Sequence, residues 1–142
     1  MLHLLHPAAV HFSVAFLVAG GLGESLGILL RRPGVERWSG TLVLVGTISL
    51  VPTVVTGFLA ENVLAPSDAL LPILALHERM GLVILGAFLL LLLWKAWGRG
   101  VVPQGQRVAF AIALLAAVGL VLYGALLGGR MVYGWGLGVG PS

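Results

Sequence analysis

The sequence has no cysteine among its 142 residues. Disulfides, thiolate-held metal centres and a covalently attached c-type haem are thereby excluded. Charge is nearly as scarce: acidic and basic side chains make up 9% of the chain, against roughly a quarter in ordinary soluble domains. No polar stretch is long enough to fold as a separate soluble unit. What the chain has instead is apolar sequence, 59% of the total, gathered into four runs that each approach the roughly 20 residues needed to cross a bilayer. The expected fold class is all-α, an integral membrane four-helix bundle. One transmembrane domain, 1–142, is expected, with spans at about 8–30, 38–60, 72–97 and 107–130. An even number of spans returns both termini to one side.

The boundaries follow from breakers and charges. Arg31, Arg32 and Pro33 stop the first run, and Pro72 suits the opening of the third. A cleaved signal peptide is not expected, because no positive charge precedes Arg31 and the apolar run is too long. Pro52 is expected to kink the second span, and the glycine-rich "GGRMVYGWGLGVGPS" to end regular helix after the fourth. Arg31, Arg32, Arg37, Lys95, Arg99 and Arg107 flank the loops after spans one and three, leaving only Arg79 and Arg130 opposite. Short basic loops stay in the cytoplasm. The bacterial inner membrane with both termini on the periplasmic side is the expected setting, lipid the expected anionic neighbour, and nucleic acid is not an expected partner.

All four histidines fall on that outer side, three in "LHLLHPAAVHF" and the fourth, His77, in "LHERMGL". With Pro7 at the first helical position, His11 lies about 6 Å into span one, and His77 about 7.5 Å into span three, at 1.5 Å per residue. Two imidazoles at matching depth on parallel helices can flank an iron porphyrin as axial ligands. His11 and His77 are the preferred pair for that iron, with His6 as the substitute for His11. Gly57 and Gly81, with Ala15, Ala19, Gly124 and Gly128, thin the helices where a macrocycle needs room. Arg79 and Arg130 are placed to meet its propionates, and Glu61 or Glu78 to neutralise those arginines.

Blander readings use the same residues. Small residues also let membrane helices approach closely, and a His-Pro pair can cap a helix start. A non-haem metal held by His6, His11 and His77 with Glu61 or Glu78 is the other metal reading. It requires the helix to start after His6, because positions five apart lie about 140° around a continuous helix. His3 is assigned to the headgroup region. Glu24, inside span one, is expected to pair with Arg31 or Arg107, a proton path being the alternative. No hydrolase or nucleotide-binding motif is present, and the two helical hairpins are alike only in general plan, with no convincing internal repeat.

"LHPAAVHF", "TGFLAEN", "LHERMGL" and "GGRMVYGWGLGVG" together resemble the bacterial four-helix membrane family known as domain of unknown function 2231. His6, Pro7, His11, Phe12, Thr56, Gly57, His77, Gly128, Gly129, Val132 and Tyr133 fit its pattern. Members often carry an acidic residue after Gly-Gly and a tail histidine, where this chain has Arg130 and Trp135. The family's association with redox partners implies a membrane b-type cytochrome.

The function expected is electron transfer through haem b near the periplasmic face, with other membrane or periplasmic redox subunits, or a quinone, as partners. Catalysis by the chain alone is not expected. The alternatives are a cofactor-free structural subunit of a larger membrane complex and a small metal-handling or transport protein.

Overall fold

The computed structural model describes residues 2–64 and 67–137, and for residues 2–4 and 61–64 the backbone alone. Four long helices account for nearly all of it: α1 (Leu2–Leu29), α2 (Pro33–Leu64), α3 (Leu71–Trp97) and α4 (Arg107–Gly129). Each is long and apolar enough to cross a membrane. The physical reason is the one read from composition, since a backbone in lipid must satisfy its polar groups internally and a helix does so.

The helices form a ring in chain order. α1 packs on α2 and α4, and α3 on the same two, so α1 and α3 face each other diagonally. The core consists of Leu17, Phe88, Phe110 and Leu114, all essentially inaccessible, with Val43, Ile84, Leu91 and Val121 around them. The outward faces carry leucine, valine and isoleucine, as lipid requires. Trp38 and Trp97 project outward near the ends of α2 and α3.

Two boundaries differ from expectation: α1 begins at Leu2 and runs through Pro7 without interruption, and α2 begins at Pro33 and carries Pro52 within it. α4 does end its regular turns at Gly129; a single π-helical turn, Arg130–Gly134, follows, and Gly136 takes a positive φ of 68°.

Candidate functional site

The earlier start of α1 decides which histidine faces inward. Because the helix is continuous from Leu2, His6 and His11 lie on different faces. His11 is exposed on the strip that also carries Ala15 and Ala19, and its Nδ1–H donates to the Pro7 carbonyl at 2.6 Å. It does not approach His77. His6 does: the two ring centroids are 6.3 Å apart and their planes stand at 85°. The imidazoles that the structure brings together are therefore those of His6 and His77, not those of His11 and His77.

Each imidazole is set by the neighbouring helix of its own hairpin. His6 Nδ1 lies 2.9 Å from the Thr53 carbonyl oxygen on α2, with Thr56 Oγ1 at 3.4 Å. His77 Nδ1 lies 3.2 Å from the Gly124 carbonyl oxygen on α4. A carbonyl can only accept, so Nδ1 carries the proton in both rings and Nε2 is left with its lone pair. This is the arrangement that orients imidazole ligands in metal sites.

Two glycines make the approach possible. A methyl group at Gly57 would stand 3.1 Å from His6 Cε1, and one at Gly128 would stand 3.3 Å from His77 Cε1. Gly81, by contrast, has room for a methyl, whose nearest neighbour would be Val54 at 3.9 Å, an ordinary contact. Arg79 and Arg130 are exposed at the same end of the bundle, two residues beyond His77 and Gly128. Among the described residues neither forms an ion pair. Among the same residues no three His, Cys, Asp or Glu side chains converge as a metal site. The side chains of His3 and Glu61 lie outside the described residues.

Two features had no local signal in the sequence. A hydroxyl cluster joins α1 to α2 below His6: Ser13 Oγ is 2.8 Å from Thr53 Oγ1 and 2.9 Å from Ser49 Oγ. At the opposite end, Glu24 is fully buried and pairs with Lys95 Nζ at 2.6 Å, not with Arg31 or Arg107. Arg31 lies beyond the end of α1, and Arg107 is engaged with Glu36 at 2.6 Å.

A family model described as predicted membrane protein (DUF2231) matches residues 2–141. No curated protein and no solved structure matches the chain.

Proposed function

The chain belongs to the DUF2231 family of predicted membrane proteins, and from that premise we propose that it is a b-type cytochrome-like electron-transfer protein or subunit. In this reading His6 and His77 hold one haem b near the periplasmic face of the bacterial inner membrane. The observation that carries it is the 6.3 Å between the two imidazole centroids. Two metal–nitrogen bonds of about 2 Å plus two ring radii of about 1 Å come to about 6 Å. The separation suits one metal between the rings.

The donor set favours a macrocycle over a bare ion. Zinc and non-haem iron sites take three or four protein ligands, whereas a porphyrin brings four nitrogens and asks the protein for two. Two imidazoles, with no third ligating side chain converging among the described residues, match the second case.

Haem b bound there supplies one-electron transfer. The chain's part is to fix the ligands: the Thr53 and Gly124 carbonyls hold both rings with Nε2 bare, and Gly57 and Gly128 leave space for the rings themselves. Leu17 and Phe88 close the bundle beneath them against water. Arg79 and Arg130 are the cations at hand for a ligand's carboxylates. A site this near the outer surface exchanges electrons with a periplasmic carrier, an adjoining subunit or a quinone.

The test is a dithionite-reduced minus oxidised spectrum of the purified protein. A six-coordinate b-type signal is expected, lost in His6→Ala and His77→Ala and kept in His11→Ala. A folded, colourless protein that takes up no added haem overturns the reading and leaves the cofactor-free subunit in its place.

A further inference from the structure

The groups around the two imidazoles obey one rule of spacing. His6 to Thr53 and His77 to Gly124 each span 47 residues. Both ion pairs, Glu24–Lys95 and Glu36–Arg107, join positions 71 residues apart. The same offset relates His6 to His77, Thr53 to Gly124 and Gly57 to Gly128. It relates the buried positions too: Ser13, Leu17 and Gly20 of α1 correspond to Ile84, Phe88 and Leu91 of α3. Val43, Thr47, Leu50 and Thr53 of α2 correspond to Val118's neighbour Leu114, to Val118 itself, to Val121 and to Gly124 of α4, all buried.

An offset that recurs in ligands, acceptors, ion pairs and core marks two copies of one hairpin. Both first helices run in the same direction, so the rotation relating the copies is about an axis along the helices, which is the membrane normal. A residue touches its own counterpart only beside such an axis. His6–His77 marks it at the outer end, and Glu24–Lys95 and Glu36–Arg107 mark it at the inner end. At such positions two identical hairpins would set glutamate against glutamate; here the counterparts carry opposite charge.

We infer that the chain is a fused pair of helical hairpins and that its ligand site lies on the pseudo-twofold axis between them. The site takes one flat ligand, gripped on both faces by equivalent groups. Among the described residues no second site of this kind lies at the inner end, where Glu24 and Lys95 occupy the axis. The ligand's identity rests on the haem reading above; the repeat does not.

Two arms test this on the full chain in detergent. With haem b as probe, His6→Ala and His77→Ala are expected to give the same five-coordinate spectrum and the same loss of retention, at least about tenfold, at one haem per chain. A six-coordinate spectrum in either variant, or two haems in the wild type, overturns the two-faced grip. Without haem, Glu24→Lys and Lys95→Glu are each expected to lower the melting temperature and the double reversal to restore it. A full-length permutant placing 72–142 ahead of 1–71 through a Gly/Ser linker is expected to melt with the wild type. A permutant that does not fold, or a reversal that does not restore, overturns the fused pair. A wild type that takes up no haem removes the proposed function and leaves this second arm to decide the repeat.

Discussion

At the residue scale, an imidazole's usefulness depends on which nitrogen is already committed. The Thr53 and Gly124 carbonyls commit Nδ1 in His6 and His77, and the glycines opposite keep each ring where its carbonyl can reach it. Adding one methyl at Gly57, 3.1 Å from His6 Cε1, pushes that ring by a few tenths of an ångström. Gly57→Ala is expected to weaken haem retention about tenfold; Gly128→Ala acts less, and Gly81→Ala, whose methyl would meet only Val54 at 3.9 Å, not at all. Haem transfer to an apo-globin acceptor measures all three. Glu24 presents the opposite problem, a fully buried carboxylate whose Oε1 meets Lys95 and whose Oε2 has no partner among the described residues. Gly40 admits the pair, since a methyl there would stand 2.7 Å from Lys95 Nζ. Removing one member strands the other, so Lys95→Met is expected to cost about 3–5 kcal/mol, most of it recovered in Glu24→Leu/Lys95→Met. Unfolding in mixed micelles reads both. That histidines of α1 and α3 meet was legible in the sequence, because ionisable groups inside spans are costly and seldom scattered. The membership of the pair was not: Pro7 reads as a helix start, whereas the helix opens five residues earlier at Leu2 and turns His6 inward. Lys95 as the partner of Glu24 had no local signal, being a full hairpin away.

At the scale of elements, the two hairpins differ in how closely their helices approach. α1 and α2 pack far more intimately than α3 and α4. The cause lies at counterpart positions. Gly20, Gly23 and Gly46 bring the first pair together, where the second pair has Leu91, Trp94 and Ala117. Trp94 stands edge-on to Phe110 at 5.6 Å and donates to Gln106, wedging α3 away from α4. Gly20 has no room for more: a methyl would lie 2.7 Å from the Val43 backbone nitrogen and 2.9 Å from Leu42 Cβ. Gly20→Ala is therefore expected to destabilise the bundle by about 1–3 kcal/mol through overpacking. Ser13→Ala, which gives up two hydrogen bonds across the same interface, is expected to cost about 1 kcal/mol, interhelical bonds in membranes averaging about 0.6. Denaturant midpoints order the two. This divergence also explains why four spans could be read from hydropathy while the repeat could not. Depth and face are preserved between the halves, but glycine has become leucine or tryptophan and serine has become isoleucine, so few residues coincide.

At the scale of the whole molecule, everything proposed for the site depends on which way the bundle faces. The His6–His77 end is also the end where the chain enters α1 and α3. The opposite end carries Arg31, Arg32, Arg37, Lys95, Arg99 and Arg107 in and around the two short connections. Two of these are internally neutralised, Lys95 by Glu24 and Arg107 by Glu36. Arg31 and Arg99 are turned outward at positive φ, 54° and 57°, where helices α1 and α3 end. Even after the two ion pairs are discounted, four arginines remain at that end against Arg79 and Arg130 at the other, an imbalance that supports the proposed orientation with the basic end in the cytoplasm. Because the chain has no cysteine of its own, a single introduced thiol reports its side of the membrane without background. Ser67→Cys, between α2 and α3, is expected to react with a membrane-impermeant maleimide in intact cells, and Gly100→Cys, between α3 and α4, only after the membrane is opened. Labelling of Gly100→Cys in intact cells, with Ser67→Cys protected, would place the histidine pair at the cytoplasmic surface and overturn the proposed periplasmic setting.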